Sequence, residues 1–192
     1  PMFRSLDPVV SPTRYFPNLT DLFSNTNPTW EELPSVGRNM NFRVTVRDNF
    51  ATAGCTGEAA NTVTTVAGTG PFLVTSPNTA VTYAGTSSQT VTWDVAGTTA
   101  APISCANVNI LLTTDGGATF TTLLANTPND GTQSVTMPNI NTTTARIWVQ
   151  CSNNIFFDVS NVNFTINAVA APCAELFISE YVEGSGNNKA IE

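Results

Sequence analysis

The stretch "NILLTTDGGATFTTLL" (residues 109–124) decides the fold. Asp115-Gly116-Gly117 sits between two apolar runs that carry no charge of their own. Val108, Ile110 and Leu112 alternate into this knot, and Phe120 and Leu124 lead out of it. Glycine reaches positive φ without the penalty a Cβ brings, so Gly116-Gly117 suits a tight turn between two antiparallel strands. The same three residues put a carboxylate beside permissive backbone, the makings of a loop for calcium, phosphate or sugar. The hairpin reading gives Asp115 a humbler task, tying the backbone of the turn.

Working outward, strand signals recur at short spacing. "FLVTSP" (72–77), "SQTVTWDVAG" (88–97), "NVNILLTT" (107–114), "ATFTTLL" (118–124), "GTQSVTM" (131–137), "ARIWVQC" (145–151) and "NVNFTIN" (161–167) are separated by Pro, Gly, Asn and Asp. Short strands at this density over 71–167 predict a complete immunoglobulin- or fibronectin-like β-sandwich. Its expected core is Val91, Trp93, Val95, Val108, Ile110, Leu112, Phe120, Leu124, Val135, Met137, Ile147, Val149, Phe164 and Ile166. Trp148 falls on the face opposite Ile147 and Val149. It is either an exposed binding candidate or packed beneath a neighbouring segment.

Residues 1–68 open with Pro8, Pro12, Pro17, Pro28 and Pro34, which favour extended and turn conformations. "NLTDLFSN" (18–25) reads as a short turn of helix that Thr20 can cap. In "MNFRVTVRDN" (40–49), Phe42, Val44 and Val46 alternate with Arg43, Thr45 and Arg47, which predicts one face inward and one in water. A second strand is expected at "NTVTTVAG" (61–68). Two strands cannot bury a core alone. Either the proline-rich segment wraps them, or they are the C-terminal half of a sandwich whose first strands lie elsewhere. "AVAAP" (168–172) reads as a linker, and 173–192 as the start of a further domain. The fold class expected is therefore all-β: tandem immunoglobulin-like antiparallel sandwiches, the first and last incomplete.

Composition narrows the function. Charged residues make up 11% of the 192, against roughly 25% in ordinary soluble proteins. The net charge is −7, and five of the six arginines precede residue 50. Nucleic acid and anionic membranes, which require clustered Lys and Arg, are poor partners. No run approaches the ~20 apolar residues of a membrane span, and "PMFRSLDPVV" lacks the apolar core of a signal peptide. The chain reads as a mature or excised fragment.

Cys55, Cys105, Cys151 and Cys173 are widely spaced, and the sequence holds no histidine to complete a zinc site. Disulfides, and an oxidising, extracellular setting, follow as the expectation. Three full pairings are possible; Cys105–Cys151 is preferred, because each cysteine ends a predicted core strand of the same unit. Without histidine there is no Ser-His-Asp or Cys-His arrangement and no HExxH helix. Catalysis by a carboxylate pair is disfavoured, because the acids of 71–167 lie in or beside turns, where Asp is a routine turn former. Asp48, Asp115, Asp130 and Asp158 are calcium candidates, since loops at a sandwich end can gather hard oxygen ligands. No cofactor other than calcium is suggested. Trp148, Phe156 and Phe157 are the candidates for a ligand-stacking surface: in "NIFFDVSN" (154–161) adjacent apolar positions leave one side chain outside unless something covers it.

Thr113–Phe120 also resembles the Asp-box hairpin motif of sialidase-type propellers, in which the aspartate fastens the turn through backbone N–H groups; one copy does not make a propeller. On a larger scale, "FRSLDPVVSPTRYFPNLTDL", "RNMNFRVTVRDN", "GPFLVTSPNTAVTYAGTSSQTVTWDVAGT" and "CANVNILLTTDGGATFTTLLANTPNDGTQSVTMPNINTTTARIWVQCSNNIFFDVSNVNFTI" resemble the non-catalytic region that follows the protease domain in secreted bacterial reprolysin-like zinc metalloproteases. The resemblance spans nearly all of 1–167. It implies a PKD- or cadherin-like half-sandwich over 1–68 and an immunoglobulin- or fibronectin-like sandwich over 71–167. "LFISEYVEGSGNNKAIE" resembles the opening of a lamin-tail domain. The zinc-binding histidines and general-base glutamate of the protease have no counterpart here. The resemblance therefore implies no enzyme activity in this chain, but a secreted or cell-surface accessory or spacer region. Its expected partners are neighbouring domains of a parent exoprotein and, in second place, a cell-surface or extracellular polymer. The alternative is an adhesive or carbohydrate-binding module.

Overall fold

A computed structural model of the chain describes residues 3, 11–26, 29–48, 50, 51, 53–170, 181–183 and 189–191. The fold is all-β, with one short helix among the described residues, α1 (Leu19–Ser24). Asn18 rather than Thr20 caps α1: its side chain accepts from the Asp21 N–H at 3.0 Å, and Asn25 closes the helix in the left-handed region at φ 54°. The side-chain oxygen of an N-cap satisfies an amide that has no partner within the helix, and Asn18 stands at the position from which this reach is possible.

β1 (Arg38–Arg47) and β2 (Thr56–Thr65) pair antiparallel along their whole length, from Arg38 opposite Thr65 to Arg47 opposite Thr56. β2 thus begins five residues earlier than the sequence pattern suggests. The register sorts the side chains cleanly. On one face Asn41 accepts from Thr62 at 2.8 Å, Asn39 accepts from Thr64 at 2.8 Å, and Arg43 pairs with Glu58 at 3.1 Å. Phe42, Val44 and Val46 share the other. Only Phe42 finds company there: the rings of Phe3 and Phe16 lie 5.3 and 5.6 Å from its own. Val44 and Val46 are 62% and 64% exposed, contrary to the inward face their alternation predicts. A two-stranded ribbon has no second layer, so alternation chooses a face without burying it.

The strands between residues 73 and 167 form a sandwich. β3 (Leu73–Ser76), β5 (Ser88–Asp94) and β8 (Thr132–Thr136) make the smaller sheet, in the order β3-β5-β8. The larger sheet runs β4-β11-β9-β6-β7, built from β4 (Thr82–Ala84), β6 (Asn107–Thr113), β7 (Thr121–Pro128), β9 (Thr142–Cys151) and β11 (Phe164–Asn167). β10 (Phe157–Val159) shares an edge of the long β9 with β11. β4 and β10 are only three residues each, too short to show a period in the sequence. β4 is also the one parallel partner, lying beside β11. Beyond the sandwich, β12 (Tyr181–Glu183) and β13 (Lys189–Ile191) form a separate antiparallel pair.

Val91, Val108, Ile110, Ile147, Val149 and Ile166 are fully buried between the sheets, with Trp93, Leu112, Val135, Met137 and Phe164 almost so. Each such side chain contributes about 1.5–3 kcal/mol through removal from water. Val95 and Leu124 are half-buried at the margin of this core. Phe120 is not part of it, because β7 starts only at Thr121. Trp93 donates from Nε1 to Asn129 Oδ1 at 2.8 Å, and the buried Asn129 amide donates onward to Thr98 Oγ1 and the Cys105 carbonyl. Polar groups that would be costly to bury unpaired are thereby satisfied.

Cys105 and Cys151 form a disulfide, with Cα atoms 6.0 Å apart. Cys105 precedes β6 and Cys151 ends β9, neighbours in one sheet. The bridge therefore staples adjacent strands, unlike the inter-sheet bridge of antibody domains. Cys55 is exposed and unbridged among the described residues, and Cys173 lies outside them.

Candidate functional site

The Asp115-Gly116-Gly117 knot is a turn whose acceptors are turned inward. Asp115 Oδ1 accepts from Thr113 Oγ1 at 3.0 Å and from the Thr119 N–H at 2.9 Å, while Oδ2 accepts from Thr119 Oγ1 at 2.6 Å. Thr113 Oγ1 in turn accepts from the Gly117 N–H at 2.9 Å. Hydrogen bonds from the Thr119 side chain and backbone hold the Asp115 carboxyl below its ordinary value. Gly116 and Gly117 take φ of 70° and 85°, the positive values the turn demands.

Gly117 has a second duty. A Cβ there would meet Phe23 Cε2 at 2.9 Å and Leu19 Cδ1 at 3.4 Å, so the absent side chain makes room for α1. Residues 14–25 lie across the outer face of the larger sheet as a strap. Phe23 packs beneath the guanidinium of Arg146, 5.2 Å from its ring centre, and the Phe23 carbonyl accepts from Arg146 Nη2 at 2.9 Å. Arg146 Nε donates to Asn163 Oδ1 at 2.6 Å, and Asn25 Nδ2 donates to the Asn161 carbonyl at 2.7 Å. Burial lowers the affinity of Arg146 for its proton, and its Nη1 has no acceptor among the described residues.

Eight residues before Phe23, Tyr15 meets Trp148 and Phe157 edge-on at 5.5 and 5.6 Å. Trp148 stacks on Phe157 at 3.9 Å with the rings 13° from parallel, and Phe120 abuts its edge at 4.9 Å. Trp148 is therefore 1% exposed, not an open platform. Its position on β9 does put it on the face opposite Ile147 and Val149, but that face is covered. Phe157 shares this covered cluster, whereas Phe156 faces the other way, packed on the core with its ring 5.2 Å from Phe72. The exposed apolar side chain of this loop is Ile155, 71% accessible.

No protein-family model matches this chain, and no curated protein matches it.

The four calcium candidates are held apart in local bonds. Asp48 Oδ1 accepts from the Phe50 and Cys55 N–H groups at 3.1 and 3.0 Å, and Asp130 Oδ1 accepts from the Thr132 N–H at 3.2 Å. Asp158 reaches across the sandwich edge from β10 to β3, where Oδ2 accepts from the Val74 N–H at 2.6 Å. Among the described residues no group of three or more His, Cys, Asp or Glu gathers at one point. Burial pushes the Asp158 carboxyl up to about 6, against the pull of the Val74 and Val159 amides. Among the described residues no helix is long and apolar enough to cross a membrane.

The sequence reading missed the strap's partners. Tyr15, Leu19 and Phe23 lie far along the chain from Arg146, Trp148 and Asn163, and the one cue was on the sandwich side: Arg146 stands two residues from Trp148 on a strand and hence on the same face.

Proposed function

We propose that this chain is a non-catalytic accessory region of a secreted bacterial metalloprotease, a spacer that stabilises or positions the enzyme. The observation that carries the reading is the strap: residues 14–25 are pinned to the sandwich by Tyr15, Phe23, Arg146 and Asn25, so the chain leading into the sandwich is held against it rather than left slack. A held entry segment transmits position from one module to the next, which a flexible linker does not. The disulfide suits an oxidising compartment, and the hydroxyl- and amide-rich, weakly charged composition suits an extracellular surface. The resemblance of 1–167 to the region following reprolysin-like protease domains supplies the kind of enzyme.

The test compares the thermal unfolding and activity of the parent protease domain with and without this chain attached in cis. A higher Tm and slower inactivation with the chain attached support the spacer. An unchanged Tm, together with binding of the isolated chain to a polysaccharide, would instead favour the adhesive module. Turnover of casein or a glycan by the isolated chain would exclude both.

A further inference from the structure

The strap holds on by an unusual set of contacts. Among the described residues, no main-chain to main-chain hydrogen bond joins residues 14–26 to the sandwich; the backbone bonds of this stretch are local, such as Leu22 N–H to the Asn18 carbonyl at 3.0 Å. α1 contributes no fully buried residue. Among the described residues, the contacts that join the strap to the sandwich involve the side chains of Tyr15, Leu19, Phe23 and Asn25 and the Arg146 guanidinium. The surface beneath is organised without the strap's help, because Trp148 contacts Phe157 and Phe120 directly, and β9 and β10 are paired to each other. One group beneath it is left short: Arg146, 6% exposed, has no acceptor for its Nη1 among the described residues. A docked segment attached through side chains, above a surface whose own strands and rings are already paired, has the form of a self-ligand.

We propose that residues 14–25 are a releasable clasp that fills, in cis, a docking surface for an aromatic peptide segment formed by Gly117, Phe120, Arg146, Trp148 and Phe157. The strap defines the chemistry of the occupant. One aromatic ring meets the Trp148–Phe157 pair where Tyr15 now lies, and a second ring lies under Arg146 where Phe23 now lies. A carbonyl or carboxylate oxygen accepts from the guanidinium. A carboxylate can engage both guanidinium nitrogens where a single carbonyl engages one, so an incoming acidic peptide gains a bond that the clasp leaves unmade. Clasp and incoming peptide exclude one another, so affinity for the partner is reduced by the fraction of time the surface is self-filled. The clasp bears on the spacer reading, since once released it no longer holds the entry segment; peptide binding by the chain alone tests the clasp, and the Tm comparison in cis tests the spacer.

The full chain and its Tyr15→Ala/Phe23→Ala variant are titrated with a synthetic peptide of residues 11–26, and with the same peptide carrying alanine in place of both aromatic residues. Neither substituted side chain lies in the sandwich core, and thermal melting checks that the fold persists. The expected result is binding of the native peptide to the double variant at least about tenfold tighter than to the unaltered chain, and no binding of the alanine peptide. Asn25→Ala, which removes the bond to the Asn161 carbonyl and puts alanine at the left-handed cap of α1, should give a smaller gain and faster hydrogen exchange at the Leu22 amide. Equal binding to both proteins, or binding to neither, overturns the proposal. So does binding of polygalacturonate by the double variant without binding of the peptide, which would assign the surface to an acidic glycan.

Discussion

The β1–β2 ribbon and the β6–β9 pair obey one pattern and meet opposite fates. In each, one strand alternates: Phe42, Val44 and Val46 share a face of β1, and Val108, Ile110 and Leu112 share a face of β6. Yet Val44 and Val46 are 62% and 64% exposed, while Ile110 and Val149, opposite each other on β6 and β9, are fully buried. The difference is the second sheet. β3, β5 and β8 supply an opposing layer for β6 and β9, and nothing among the described residues supplies one for Val44 and Val46. The ribbon invests instead in its polar face, where the Asn41–Thr62, Asn39–Thr64 and Arg43–Glu58 pairs meet across the strands. Cross-strand pairs of this kind contribute about 0.2–1 kcal/mol each, which holds a register but does not replace a core.

Substitutions should expose this contrast by size of effect. Trp148→Ala removes a fully buried ring from the sandwich's covered outer face and should destabilise the chain by about 3–5 kcal/mol in urea unfolding. A loss below about 1 kcal/mol would mean that the strap does not bury Trp148 in solution. Replacing Cys105 and Cys151 together by serine opens a loop closed over a sequence separation of 46 residues. The expected cost is about 2–4 kcal/mol, read as a lowered Tm that no longer responds to reductant.

The Asp158 latch between β10 and β3 gives a pH-dependent comparison. Its folded pKa of about 6 lies above the ordinary value of 3.8, so the folded state holds this proton more tightly than the unfolded chain does. Its contribution is fully present below about pH 4 and is lost as pH rises through 6. Asp158→Asn keeps an oxygen for the Val74 N–H without the buried charge. It should stabilise the sandwich by about 2 kcal/mol at pH 7.5, with the gain vanishing near pH 4, as measured by urea unfolding across that range. The ribbon supplies the smallest effect: Val44→Thr and Val46→Thr should change stability by no more than about 0.5 kcal/mol, since side chains already in water lose little. A cost of several kcal/mol would show that a partner layer covers them in solution.

How far the sequence could be read follows the same physics. Strands β5, β6, β8 and β9 were legible because each carries several turns of period two bounded by Gly, Pro or Asn. The start of β7 was misplaced because Asp115 ties Thr119 into the turn and delays pairing to Thr121. β4 and β10 were invisible at three residues. Of the candidate site residues, the pairing of Cys105 with Cys151 was legible from their places at strand ends. The four aspartates carried the composition of ligands; what the sequence could not show is that each accepts from a main-chain amide, Asp158 from as far away as Val74. Trp148 was correctly placed on the outer face, yet no local pattern could show that Tyr15 lies over it, 133 positions earlier in the chain.

The sequence by itself determined that the chain is β, where most of its turns fall, and which residues fill the space between the sheets. Periodicity and turn chemistry are local properties, written within a few residues of where they act. Only the tertiary structure decided what those faces meet: a second sheet for Ile110 and Val149, a strap for Trp148, and water for Val44 and Val46. Burial depends on the layer opposite, and a strand carries no record of its partner. The Gly116-Gly117 turn joins the two levels. Its positive φ values could be read from the residue type, whereas the contact of Phe23 with Gly117 arises only when the chain is folded.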